Sequence, residues 1–246
     1  MTITADDPRI VDLKKAGRFR LALFLPQYAD APDGGLRPIG AGVVAKALGT
    51  EFASRLGIEF ELVRQPTPHG AVEALNAGAF DAIILGVNAE RRRVIDFTPT
   101  VFQFDFAYMV PPGSSITDKS QVDRAGVKIS VPVGHASWME LRNIIRNAEI
   151  IGGELPDDSF AMVRDGTADV FALPREQLMD FAGQLPGAQI LKDGFGYNDV
   201  GLAVARGRAD LCAALGAFTE EAKASGLVQK ILDEGGLNER GFTVAG

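Results

Sequence analysis

Apolar positions along this chain follow two alternating periods. After a break at Gly17, residues Arg18 to Leu25 form a branched apolar run with the marks of a strand, and Pro26 to Pro38 is a loop rich in Pro, Gly and Asp. Val44, Leu48, Phe52 and Leu56 then recur every four residues and stop at Gly57, which predicts one buried helix face and its terminator. Ile58 to Val63 and Asp81 to Val87 return to strand character, separated by a short helix around Val72 and Leu75. The order β-α-β-α-β is that of a parallel sheet covered by helices.

Between Phe102 and Val110 the period becomes two, with Phe102, Phe104, Phe106 and Tyr108 on one face and Gln103, Asp105, Ala107 and Met109 on the other. Pro111-Pro112-Gly113 ends that strand, and a second pass of similar layout follows. Strands are predicted at Val127 to Val131, Glu149 to Ile151 and Asp169 to Leu173, and helices at Trp138 to Ala148 and Phe160 to Asp165. Ser137-x-x-Glu140 reads as a capping box at the first of these helices. Val200 to Ala205 is a strand, the stripe Leu211, Leu215, Phe218, Ala222 is a helix closed by Gly226, and Ile231 and Leu232 lie on a last short helix.

Composition narrows the function classes. In 246 residues, Lys+Arg total 25 against Asp+Glu 32, a net charge of −7, which speaks against a nucleic-acid partner because phosphate binding requires clustered positive charge. The longest apolar runs, such as Ala82-Ile83-Ile84-Leu85, are strand-sized, so no membrane insertion is expected. One cysteine, Cys212, and two histidines, His69 and His135, leave no basis for a dedicated metal site, and no cofactor is expected. Met1 to Pro8 carries acids where a secretory leader has basic residues, and no apolar stretch follows. The expectation is that a leader was removed or that the protein does not leave the cytoplasm by that route.

The stretch from Gly78 to Thr98 brings Arg91, Arg92 and Arg93 to the end of an apolar strand. A guanidinium there suits a carboxylate, which it holds through two parallel charged hydrogen bonds, and open α/β sheets bind ligands at such ends. Further motifs follow in order: Gly78-x-x-Asp81-Ala82, Glu90-Arg91, Asp96-Phe97-Thr98-Pro99, Val131-Pro132-Val133-Gly134 before a helix, Asp165-Gly166-Thr167-Ala168-Asp169, and Ser225-Gly226-Leu227 with Lys230-Ile231. Together they resemble the polar amino-acid type (family 3) of solute-binding protein of ABC transporters, over nearly the whole chain. The resemblance implies a periplasmic-binding-protein type II fold, a two-lobed α/β clamshell with two crossing hinge strands. Lobe one would be residues 1–104 plus 200–246 and lobe two residues 105–199, with ligand in the cleft and closure upon binding.

The same resemblance implies site residues. Arg91, six before Phe97, would clamp the ligand carboxylate, with Arg93 the alternative on a count forward from Asp81. The hydroxyl residue that assists it falls at Gly86 on one count and Asn88 on the other, with Val87 between them. Tyr28 would be an aromatic wall, and Gly134, His135 and Ala136 would supply the helix start that binds the carboxylate. Arg175, apart from the resemblance, reads either as a second anion contact or as a surface charge at a helix start. One departure is marked: five residues after Asp169, where an acid would pair with a ligand α-ammonium, stands Pro174. The expected ligand is therefore a small carboxylate without an α-amino group, unless a displaced acid such as Asp105 or Asp199 takes that role.

The expected function is non-catalytic binding by a monomer, partnered by transporter membrane subunits in the periplasm. Two alternatives stand beside it: a dehydratase-like enzyme acting on a cyclic carboxylic acid on the same scaffold, and an amino-acid binder or ligand-sensing module.

Overall fold

The computed structural model describes residues 3–4 and 6–246. The first part of the chain forms α1 (Val11–Ala16), β1 (Arg18–Phe24), β2 (Tyr28–Asp30), β3 (Leu36–Pro38), α2 (Ala41–Leu56), β4 (Glu59–Gln65), α3 (Pro68–Asn76) and β5 (Ala82–Gly86). A 3₁₀ turn at Arg91–Arg93 then leads into β6 (Ile95–Val110), followed by β7 (Lys128–Ser130), α4 (Ala136–Ile144), β8 (Glu149–Ile151), α5 (Pro156–Arg164), β9 (Val170–Pro174) and α6 (Arg175–Ala182). The remainder is β10 (Gln189–Ile190), β11 (Gly196–Ala205), α7 (Ala209–Ala224), α8 (Leu227–Glu234) and β12 (Phe242–Val244).

These elements divide into two compact units: residues 1–103, 199–238 and 242–246 form unit 1, and residues 104–198 with 239–241 form unit 2. β6 and β11 each run through a unit boundary. In unit 1 the order β4-β1-β5-β11 combines parallel pairing of β1 with β4 and β5 and antiparallel pairing of β5 with β11. One face packs Phe24, Leu75, Phe80, Ile83 and Ile95. Elsewhere in the unit Phe19, Phe52 and Phe218 meet edge to face, with ring centroids 5.1 and 5.2 Å apart.

In unit 2, β7 pairs in parallel with β8 and β9, and β9 runs antiparallel to Phe106–Met109 of β6. Tyr108, Val122, Ile129 and Leu141 fill one side and Phe160, Phe171, Leu173 and Leu178 the other.

A repeated clasp explains the Gly-x-x-Asp motifs. Asp81 accepts the Arg20 backbone N–H at 2.9 Å while its own N–H donates to the Arg20 carbonyl at 2.9 Å. Asp169 does the same with Lys128, at 2.8 and 2.9 Å. Gly78 and Gly166, both at φ +76°, make the reversal that brings each carboxylate back to the neighbouring strand. Asp81 is further locked by the Arg20 and Arg208 guanidiniums, each at 3.1 Å. These motifs serve the fold.

Several local expectations are corrected. The segment read as a loop holds the β2–β3 hairpin. β6 begins seven residues earlier than its alternating part. The helix expected to reach Ala148 ends at Ile144, because the Asp123 carboxylate captures the N–H groups of Arg146, Asn147 and Ala148. No capping box forms at Ser137: the N-cap is His135, and Ser137 is buried one residue inside the helix. The return of residues 239–241 to unit 2, where the Arg240 guanidinium donates to Asp180 at 2.9 Å, had no sequence signal.

Candidate functional site

Unit 1 presents a charged strand end. β5 delivers Gly86, Val87 and Asn88, and the Asn88 Oδ1 accepts the Arg91 backbone N–H at 2.8 Å, which starts the 3₁₀ turn. The Arg91 side chain folds back so that Nη1 donates to the Gly86 carbonyl at 2.7 Å. This guanidinium is half-buried, with no carboxylate partner among the described residues. Burial lowers its pKa, opposed by Glu90, yet an arginine remains a cation at neutral pH. A partly desolvated cation with one of its five donors engaged among the described residues has the chemistry to accept an anion.

The neighbouring arginines differ in environment. Arg92 lies over the Phe97 ring at 5.7 Å, and Arg93 is exposed. Asn88 is exposed and retains its Nδ2 donors, since its oxygen is engaged. Val87, expected between the two candidate positions, donates its N–H to the Asp199 carbonyl at 2.8 Å, so that amide is taken up by strand pairing. Asp199 is half-buried and its Oδ1 accepts from Gln103 Nε2 at 2.7 Å. Gln103 was not among the expected site residues; its place on the polar face of an alternating strand was the available signal.

Tyr28 is also in unit 1, half-buried at the start of β2. The buried Gln27 side chain positions it, donating to the Ile84 carbonyl at 3.1 Å and accepting from the Phe24 N–H at 3.3 Å. The Tyr28 hydroxyl donates to the Gln65 carbonyl at 3.2 Å and the Arg64 guanidinium lies 5.9 Å from the ring centre. Its hydroxyl is thus engaged within unit 1.

Unit 2 holds the remaining expected residues. Gly134, at φ +77°, turns the chain into α4, and the His135 N–H donates to the Pro132 carbonyl at 3.2 Å. Ala136 is thus the first residue of the helix start with an amide outside that turn. Burial lowers the His135 pKa and keeps the ring neutral, with Nδ1 3.1 Å from Ser137 Oγ. Arg175 does not offer the expected second anion contact. Its Nε and Nη2 grip Asp105 at 2.8 and 2.6 Å, and its remaining donors reach the Leu191 and Lys192 carbonyls at 3.1 and 2.9 Å. Pro174 is buried in the pairing of β9 with β6.

A shallow groove of about 630 Å³ along α7, lined by Phe97, Pro99, Cys212 and Ala217, has Asp96 and Glu220 as its charged members and so repels a carboxylate. Among the described residues no cluster of His, Cys, Asp or Glu could hold a metal ion, and no helix is long and apolar enough to cross a membrane.

A family model for bacterial extracellular solute-binding proteins, family 3, matches residues 33–234. No curated protein matches the chain in sequence. Similar solved structures include a mutant of ArgBP from T. maritima, 23% identical over 92% of this chain and 98% of that one, with a TM-score of 0.64. The ancestral cationic amino acid solute-binding protein AncCDT-1 is 21% identical over 91% and 97%, with a TM-score of 0.68. An ancestral arginine-binding protein bound to arginine is 23% identical over 89% and 97%, with a TM-score of 0.63. These likenesses establish the mixed α/β fold of type II periplasmic binding proteins.

Proposed function

The chain belongs to family 3 of the bacterial extracellular solute-binding proteins, a solute-binding protein of the amino-acid ABC type, and on that premise we propose that it holds a small carboxylate through Arg91. The observation that carries this reading is the half-buried guanidinium at the end of β5, bound only to the Gly86 carbonyl and lacking a carboxylate partner among the described residues. Transporter membrane subunits are the partners this function requires, and the periplasm is its compartment.

The finer reading is a carboxylate without an α-amino group. Pro174 supplies no acid for an ammonium, and the acids close to it in unit 2 are engaged: Asp105 by Arg175, and Glu176 and Asp180 by Arg240. Leaving an ammonium unpaired in a desolvated site costs several kcal/mol. One observation favours the second reading, an α-amino acid: Asp199 in unit 1 has no cationic partner among the described residues. The dehydratase alternative lacks support from His135, since a ring kept neutral by burial is a poor general acid near neutral pH.

Thermal-shift screening of matched amino and deaminated acids tests the proposal. A ligand at 100 times its Kd adds about 2.7 kcal/mol of stability. Tighter binding of the amino member across several pairs refutes the finer reading, and the absence of any carboxylate ligand refutes the Arg91 anchor.

A further inference from the structure

We propose that residues 239–241 form a strap that restrains motion of the two units about β6 and β11, with Arg240 as its releasable clasp. This inference goes beyond the Arg91 reading and does not depend on it.

The chain passes from one unit to the other four times. Two passages are made by the long strands β6 and β11, and two by this short loop, which lies in unit 2 while Asn238 and Phe242 on either side of it lie in unit 1. Its base is closed within unit 1. The Phe242 N–H donates to the Leu237 carbonyl at 3.1 Å, the Leu237 N–H donates to the Leu232 carbonyl at 2.8 Å, and both side chains are buried. β12 then pairs with β6, where the Phe242 and Phe102 ring centroids lie 5.4 Å apart and the Ala245 N–H donates to the Val101 carbonyl at 3.3 Å.

The tip is held in unit 2. Arg240 Nη2 donates to the Glu176 carbonyl at 3.1 Å and to Asp180 Oδ1 at 2.9 Å, and Nε lies 3.6 Å from Glu176 Oε1, so one guanidinium grips a full turn of α6. Gly241 supplies the second hold. Its carbonyl accepts the Asp105 N–H at 3.1 Å, and its bare Cα is pressed on the carboxylate that Arg175 grips: a Cβ there would overlap Asp105 Oδ1 and stand 3.1 Å from Arg175 Cβ. The Asp105–Arg175 pair is thus the seat of the strap.

A chain reaches about 3.5 Å per residue when fully extended, so a loop this short has little slack. With the base fixed in unit 1, the tip stays seated only while the units move little; larger motion requires the clasp to let go. The clasp is the weaker end. Its side chains are 30% exposed in Arg240, 28% in Glu176 and 67% in Asp180, and ion pairs so close to water contribute little each, whereas the base is buried.

Two measurements without added solute test the strap. Hydrogen exchange at the Asp105 amide reports whether the tip is seated, because that amide donates to Gly241. Double electron–electron resonance between nitroxides on Thr50→Cys in α2 and Asn143→Cys in α4, both exposed positions, reports motion of the units in a Cys212→Ser background. Arg240→Gln removes the charge of the clasp, and Gly241→Ala unseats the tip without altering a charge. Each is expected to exchange the Asp105 amide about tenfold faster and to broaden the distance distribution between the labels. Arg164→Gln, which breaks an exposed ion pair with Asp165 in unit 2, is expected to change neither. Melting curves verify that the variants are folded. Faster exchange with an unchanged or narrower distribution overturns the strap, and unchanged exchange of the Asp105 amide in Arg240→Gln overturns the clasp.

Discussion

Arg91 and Arg175 are both partly buried guanidiniums expected to meet an anion, and their truncation should have opposite consequences. Arg91 gives the folded chain one hydrogen bond, to the Gly86 carbonyl, and no ion pair among the described residues. Arg91→Ala loses that bond, relieves a desolvated cation and exposes a carbonyl that water can reach, a net cost within about 1 kcal/mol. Its effect falls on ligand: two charged hydrogen bonds are worth roughly 3–5 kcal/mol, or a loss of affinity between about a hundredfold and several thousandfold. Arg175 is the reverse case. Its side chain is 16% exposed and grips Asp105, itself 28% exposed with Oδ1 buried and without a hydrogen-bond partner among the described residues. Removing the cation strands that carboxylate, at about 2–3 kcal/mol, somewhat below the cost of breaking a fully buried pair. For a chain of this length this lowers Tm by roughly 5–10 °C.

The assay is a melting curve for each variant and titration calorimetry with the tightest ligand from a carboxylate panel. Arg93→Ala is the control, expected to change neither quantity because the residue is exposed. Normal binding by Arg91→Ala, with binding lost in Arg93→Ala or in a fully stable Arg175→Ala, would refute the assignment.

Three further outcomes are expected. Because burial holds the His135 pKa below its ordinary 6.5, the unfolded chain takes the proton first; the stability from the neutral ring is complete above about pH 6.5 and is lost on acidification. The Tm of His135→Gln should therefore fall less than that of wild type on acidification from that pH, and parallel curves would contradict this. Gly42→Ala places a methyl against the Gln27 carbonyl and should cost about 3 kcal/mol, read by denaturant unfolding; an unchanged midpoint would show that α2 can shift freely. Closure of the two units on binding, a proposal carried by the family resemblance, predicts a smaller radius of gyration in small-angle scattering with saturating ligand, and an unchanged profile refutes it.

Elements with strong internal periodicity were legible in the chain itself. The four-residue recurrence from Val44 to Leu56, ended by Gly57 at φ +64°, is α2 to the residue at its end. Glu149 to Ile151 is β8 as expected. Hydrophobic burial and a left-handed glycine act within a few residues, so local pattern determines them. The turn that carries Arg91 is local for a related reason, since it needs only the side chain of Asn88 three residues before.

Other features were decided by groups far apart in sequence. Arg175 stands at a helix start and reads as a free cation until Asp105, seventy residues earlier, is brought against it. Ser137 and Glu140 have the spacing of a capping box, yet the turn at Gly134 starts the helix earlier and buries the serine. The Val87 amide, the end of α4 and the return of Arg240 to unit 2 were set by Asp199, Asp123 and Asp180 respectively. In each case a charge or a backbone donor had several possible partners in the linear chain, and the energy of a hydrogen bond depends on which of them the packed strands and helices bring within 3 Å. The chain's periodicities determined its layers, while the partners of its polar groups, Asp105 for Arg175 among them, were settled only by the tertiary structure.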